Sequence, residues 1–437
     1  MKLLVKVAGT ATAIAVGVWV LLALWSQSMQ KEIHSLYEQK QPALSLQNGV
    51  AVKDKGNSWI EESSLHKELF VCGSSELSAS VQQNIKNNFP STEYNAEISP
   101  IGHAYVQNML HAMNFGANYD SFKDRNIVLV ESIQWFDGDD ISSDGYMANF
   151  SELQFYEFLH NDKISKKNKT YLCNRFLEVE KGRISYQRPE KVNGLINKSR
   201  ILKAFGLTNW FSEHQWLRMG KTSYDFPQTH VLAELYASEN VFGNMFYQCM
   251  RPYYAMRSVI LKLKDQYDTI AYLRSVNTDC SKSIFEANWD IQIEQAEQDG
   301  IDACHNNDIY VADDYYSTYL EKDWEQRKNS INNKTNFSSK EWGDFQFMLS
   351  VCNELDIKPY LVNVPTNGYY YDYIGVDPKI RQEHYAKVSK MASEYQVPIY
   401  NGLIDKEYEP YVFVDVMHLG WKGWIYVTQA ITEHFKQ

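Results

Sequence analysis

Short apolar runs with hardly a polar break, set between stretches of helical periodicity, constrain this chain more than any other feature. Leu69-Phe70-Val71-Cys72 and Ile127-Val128-Leu129-Val130 are unbroken, and Tyr360-Leu361-Val362-Asn363-Val364 is interrupted by one asparagine. A strand apolar on both faces has to be covered on both faces, which is the condition of a parallel sheet sandwiched between helices. Tyr94 to Ile98 and Val397 to Tyr400 supply two further strand candidates, making five, divided between two ends of the body. Leu77, Val81, Ile85 and Phe89 recur at helical spacing after the first run, as do Val106, Met109, Leu110 and Met113 later. Ser338-Ser339-Lys340-Glu341 has capping-box spacing ahead of Trp342, Phe345, Leu349 and Cys352. Tyr385, Val388 and Met391, then Trp424, Val427 and Ile431, mark two more helices. The expected fold class is therefore α/β, a parallel sheet in a three-layer α/β/α arrangement.

Residues 66–150 and 336–437 form this α/β domain, and 151–335 read as a largely helical insertion, whose longest periodic stretch runs from Tyr253 to Leu273. Lys2 and Lys6 precede an uncharged stretch to Gln30, and its apolar part from Val7 to Trp25 is long enough to cross a bilayer. The bulky Ala23-Leu24-Trp25 exit favours a retained anchor in 1–30 over a cleaved signal peptide. Positive charge at its start predicts a single-pass protein with a cytoplasmic N-terminus and an extracellular body. Residues 31–65, polar and of mixed charge, read as a stalk.

A formal net charge of -11 excludes bulk electrostatic attraction to nucleic acid or anionic lipid. The six cysteines contain no CxxC pair, so neither a zinc site nor a redox motif is written, and mostly buried free thiols are expected. No Gly-rich phosphate loop surrounds Gly73, and no metal or cofactor is implied.

Two segments carry chemistry. Ser75, in Gly73-Ser74-Ser75-Glu76-Leu77, falls at a strand-to-helix turn, where a hydroxyl is exposed at the carboxyl edge of a parallel sheet beside a backbone N–H suited to an oxyanion. Asp415 and His418 are spaced so that a loop or the first turn of a helix presents both side chains on one side. The carboxylate then accepts a hydrogen bond from Nδ1–H while Nε2 faces a serine. Each signal alone is weak, since Gly-Ser-Ser is ordinary turn material and histidines are common; their joint place at one sheet edge gives them weight.

A Gly-x-Ser block after the first strand with a C-terminal Asp-x-x-His resembles the SGNH-type hydrolases, and the finer wording resembles the DltD family of teichoic acid D-alanylation proteins. The stretches that carry it are Gly73–Leu77, Ser132-Ile133-Gln134-Trp135-Phe136, Pro365-Thr366-Asn367-Gly368 with the tyrosines up to Tyr373, and Tyr408-Glu409-Pro410-Tyr411 through Trp424. Ile133 stands where the family usually has proline, and Pro100-Ile101-Gly102-His103-Ala104 replaces a glycine-richer segment.

The resemblance implies an SGNH- or flavodoxin-like fold and a Ser75–His418–Asp415 acyl-enzyme mechanism. It further implies D-alanyl transfer onto lipoteichoic acid at the outer face of the membrane, with a membrane-bound O-acyltransferase as partner. Gly102 inherits the role of oxyanion donor, Gln134 and Asn367 offer amides to substrate or oxyanion, and the aromatic segments wall the site. Lys422, beside the expected base, is placed at the mouth to meet a polymer phosphate. Two other classes share these residues: a non-catalytic adaptor of the D-alanylation machinery, and an esterase or thioesterase that removes acyl groups.

Overall fold

A computed structural model describes residues 2–46, 56–183, 226–238, 241–277, 282–332, 334, 337 and 339–436. Five strands, β1 (Leu69–Cys72), β2 (Ile98–Ile101), β3 (Ile127–Ser132), β4 (Tyr360–Val364) and β5 (Ile399–Tyr400), form one sheet in the order β2-β1-β3-β4-β5. Every pairing is parallel, with Val71 opposite Val128 and Leu129 opposite Leu361. The chain winds one way from β1 to β2 and the other way from β3 onward. The crevice for a ligand therefore opens at the carboxyl ends of β1 and β3.

Strand periodicity of two sends alternate side chains to opposite layers. Phe70, Cys72, Leu129 and Leu361 pack with Met109, Met113, Phe345 and Leu349 on one face. Val71, Val128, Val130 and Val362 pack with Trp424, Ile425, Val427 and Ile431 on the other. Both layers are closed by helices, chiefly Asn108–Ala117 and Ser339–Leu355 on the first and Trp421–Phe435 on the second.

Two elements differ from expectation. The second strand lies at Ile98–Ile101 rather than at Tyr94 to Ile98, and it contains Pro100, which an edge strand tolerates because its N–H need not enter the ladder. The residues after β1 form two short 3₁₀ turns, Ser75–Ser78 and Ile85–Asn87, instead of a continuous helix. Leu77, Val81, Ile85 and Phe89 are nonetheless all buried in one layer. Between them, asparagine amides take backbone carbonyls that a helix would have used: Asn84 Nδ2 donates to Ala79 O (3.1 Å), Asn87 Nδ2 to Gln82 O and Asn88 Nδ2 to Gln83 O (2.8 Å each).

The described residues between β3 and β4 are largely helical, including Lys166–Arg183, Pro227–Ala237, Val241–Ser275 and Trp289–Ala303. At the N-terminus one helix spans Lys2–Leu44. Its later part, within the stretch read as a stalk, is packed rather than free: Ile33, Tyr37 and Leu44 are buried, and Tyr37 donates to Glu68 Oε2 (2.9 Å). Lys53 to Lys55 of that stretch lie outside the described residues, as does Ser338 of the capping box. Among the described residues no helix is long and apolar enough to cross a membrane. Residues 7–15 of the expected anchor lie outside those whose side chains are described, whereas Val16, Leu21, Leu24 and Trp25 are strongly exposed.

Candidate active site

Ser75 begins the turn that follows β1, so its side chain emerges at the carboxyl edge of the sheet. The loop that meets it, Val412 to Gly420, is a tight hairpin rather than a helical turn. Phe413 bridges Leu419 antiparallel, Val414 N–H donates to His418 O (3.0 Å), and Gly420 N–H donates to Val412 O (2.8 Å). Gly420 is needed at that closure, because a Cβ there would lie 2.5 Å from the Phe413 carbonyl carbon. Inside the hairpin, Asp415 Oδ1 accepts the N–H groups of Met417 (2.8 Å) and His418 (2.7 Å), which locks the carboxylate over its own turn.

The remaining oxygen, Oδ2, stands 2.7 Å from His418 Nδ1, and His418 Nε2 stands 2.8 Å from Ser75 Oγ. A carboxylate can only accept, so Nδ1 carries the proton and Nε2 is left to accept from the serine hydroxyl. Burial disfavours a charged His418, but the Asp415 hydrogen bond and charge, joined by the charge of Glu76, outweigh it and hold the ring above its ordinary value. The three groups line a cleft of about 380 Å³, whose far wall is the helix Asp313–Tyr319.

Beneath Ser75 lies a contact that the sequence did not announce. Glu76 is fully buried and its carboxylate accepts three N–H donors: Ser74 N (3.0 Å), Gln134 Nε2 (2.5 Å) and Trp135 Nε1 (3.2 Å). It ties the turn after β1 to the turn after β3, across the crevice of the sheet. His111 adds a second brace, donating from Nε2 to Gly73 O (3.2 Å). Burial pushes His111 down to about 4, so it stays neutral. Glu76 was in view within Gly-Ser-Ser-Glu-Leu, but a glutamate in a first turn reads as an ordinary partner of the helix dipole.

The other expected site residues fall differently. Gly102 lies directly beside the turn that carries Ser75, at φ +121°, where a Cβ would sit 1.8 Å from Gly73 O; only glycine fits. Gln134 donates from its amide Nε2 to Glu76 Oε1 and does not line the cleft beside Ser75. Asn367 is buried as a helix cap and lies outside the cleft lining: its Oδ1 accepts Tyr370 N–H (3.1 Å), and its Nδ2 donates to Ile309 O (2.8 Å).

Lys422 does not reach the mouth. It is 7% exposed and paired with Glu409 (2.6 Å) and Glu297 (3.2 Å), because the first turn of the final helix points it beneath the hairpin. Cys72, adjacent in sequence, is fully buried, and burial pushes its thiol well up, so it packs and does not react.

Fold and site together define a parallel α/β protein that carries a serine, a histidine and an aspartate in hydrogen-bonded series at the carboxyl edge of its sheet. The family model described as DltD protein matches residues 50–209 and 212–436, and the chain belongs to the DltD family. It is 27% identical to Protein DltD of Bacillus subtilis (strain 168) over 368 residues, which cover 84% of this chain and 82% of the relative. With Protein DltD of Staphylococcus aureus (strain NCTC 8325 / PS 47) it shares 22% identity over 388 residues, 89% of this chain and 84% of the relative.

Proposed function

We propose that this chain transfers D-alanyl groups onto lipoteichoic acid at the outer face of the membrane, with Ser75 as the carrier of the acyl group. The observation that carries this reading is the continuous series Ser75 Oγ, His418 Nε2, His418 Nδ1 and Asp415 Oδ2, with both links under 3 Å. Membership in the DltD family supplies the acyl group and the polymer.

Ser75 Oγ attacks the carbonyl carbon of a D-alanyl ester or thioester handed on by a membrane-bound O-acyltransferase, while its proton passes to His418 Nε2. Asp415 stabilises the imidazolium through Nδ1–H. The negative oxygen of the tetrahedral intermediate faces the Ser75 N–H and the glycine turn at Gly102. Collapse returns the proton to the leaving group and leaves D-alanyl-Ser75. A glycerol hydroxyl of the polymer then gives its proton to His418 and attacks the ester, which restores the serine. The apolar run from Val7 to Trp25 holds the protein in the membrane with its N-terminus in the cytoplasm, which sets the site on the side of the polymer.

Cells carrying Ser75→Ala are expected to lose the D-alanyl esters of lipoteichoic acid at normal protein level. Ser74→Ala is the control, since Ser74 Oγ makes only a 3.3 Å bond to His103 O. Esters retained in Ser75→Ala cells would refute the assignment, and esters that rose would point to a hydrolase.

A further inference from the structure

The cleft beside Ser75 has a chemistry of its own. Its lining among the described residues contains no lysine or arginine and two carboxylates, Asp415 and Asp314. Asp415 is shielded by His418 and by two backbone N–H groups. Asp314 is exposed, and among the described residues its hydrogen bond is accepted from the next backbone N–H, Tyr315 N at 2.8 Å. Its neighbour Asp313 turns away and is occupied by His305 and Asn306. Arg327, which donates to the Tyr319 carbonyl, is matched by Asp323 at 2.8 and 3.0 Å and lines an adjoining cavity instead.

Asp314, Tyr315, Thr318 and Tyr319 form one face of the helix Asp313–Tyr319, related by steps of one and four residues, and all four line the cleft. The two tyrosine rings stand 5.2 Å apart. This face is held in place against the catalytic hairpin, because Ala312 N–H donates to Val414 O (2.9 Å), one residue before Asp415. An exposed carboxylate that lines the same cleft as two tyrosine rings is suited to one kind of group, a small organic cation.

We propose that Asp314, with Tyr315 and Tyr319, is the subsite that recognises the free α-ammonium group of the acyl residue carried by Ser75. The inference rests on the acyl-transfer reading above and gives that reading its selectivity. An aminoacyl group differs from a plain acyl group of the same size by this one charge. The same carboxylates disfavour a phosphate in the cleft, so the anionic acceptor approaches from outside it and presents only a hydroxyl.

The test separates recognition from chemistry. The full-length chain with Ser75→Ala is titrated with D-alaninamide and with propionamide, the same compound with hydrogen in place of the amino group. The ammonium compound is expected to bind more tightly, with a preference that falls as salt is added. Asp314→Asn in that background is expected to weaken D-alaninamide by about three- to tenfold, as for a partly exposed ion pair supported by aromatic rings. Propionamide binding should stay unchanged, and Tyr319→Leu should give a smaller loss of the same kind. Equal binding of the two compounds, or a preference that survives Asp314→Asn, would overturn the proposal. Ester content in Ser75→Ala cells tests acyl transfer independently, so a failure of that reading and a failure of this one leave different records.

Discussion

Asp415 holds its two oxygens apart for two tasks: one anchors the turn through backbone N–H groups and the other orients His418. Asp415→Asn keeps the shape but presents an amide N–H or a neutral carbonyl to Nδ1. Activity is expected to fall on the order of 10⁴-fold, as when a triad loses its tautomer control. In the proposed mechanism the base form of His418 is required, and its ring is held above its ordinary value. The acid limb of the parent pH profile should therefore lie above that of a free histidine and fall away as pH drops through it. Glu76→Gln sets an amide NH₂ against three N–H donors, which should cost about 1–3 kcal/mol of stability in urea unfolding. The same change removes a charge that favours the imidazolium, so the acid limb should move down, whereas Trp135→Phe should leave it in place. At this scale the sequence was legible where residue type and a short spacing bring groups together, as for Asp415 and His418 meeting Ser75. It was illegible where exposure decides: nothing in Gly420-Trp421-Lys422 says that the lysine folds inward onto Glu409.

The elements place the site through contacts that tolerate little change. The turns after β1 and β2 touch backbone to backbone at Gly73 and Gly102. Gly102→Ala is expected to lower stability by about 3 kcal/mol or more, since the new Cβ meets a carbonyl oxygen at a φ that disfavours alanine. A change within about 0.5 kcal/mol in urea unfolding would mean that the two turns are not in contact. The strands were readable because unbroken apolar runs are what a doubly covered sheet requires, and β1, β3 and β4 lie where those runs predict. The segment from Leu77 to Phe89 was misread because its apolar period is helical, whereas its asparagines bind the carbonyls on which a helix depends. Periodicity reports which residues are buried; it does not report the backbone path that buries them.

The molecule as a whole holds several ionisable groups where water cannot reach. Burial pushes Glu131 up to about 8, and Glu68 and Asp265 up to about 7. In the unfolded chain these carboxyls lose their protons in the ordinary acidic range, so the folded state binds more protons between the two values. That contribution to stability is complete below the ordinary values and is lost as pH rises through 7 to 8. The thermal midpoint should accordingly be lower at about pH 9 than at about pH 5. Glu131→Gln keeps an acceptor for Asn108 Nδ2 and should flatten that slope, becoming the more stable form on the alkaline side. A parent midpoint that rose toward alkaline pH would contradict this. None of it was visible in a net charge of -11, because a charge total does not say which carboxyls are buried.

The central claim is that Ser75 holds the acyl group, and peptide mass mapping after acid quenching reads it most directly. The full-length chain, incubated with its D-alanyl donor while acceptor polymer is withheld, should show the mass increment of one alanyl residue on the Ser75 peptide, absent from Ser75→Ala. An increment on a different residue, or polymer alanylated by the Ser75→Ala chain, would contradict the account.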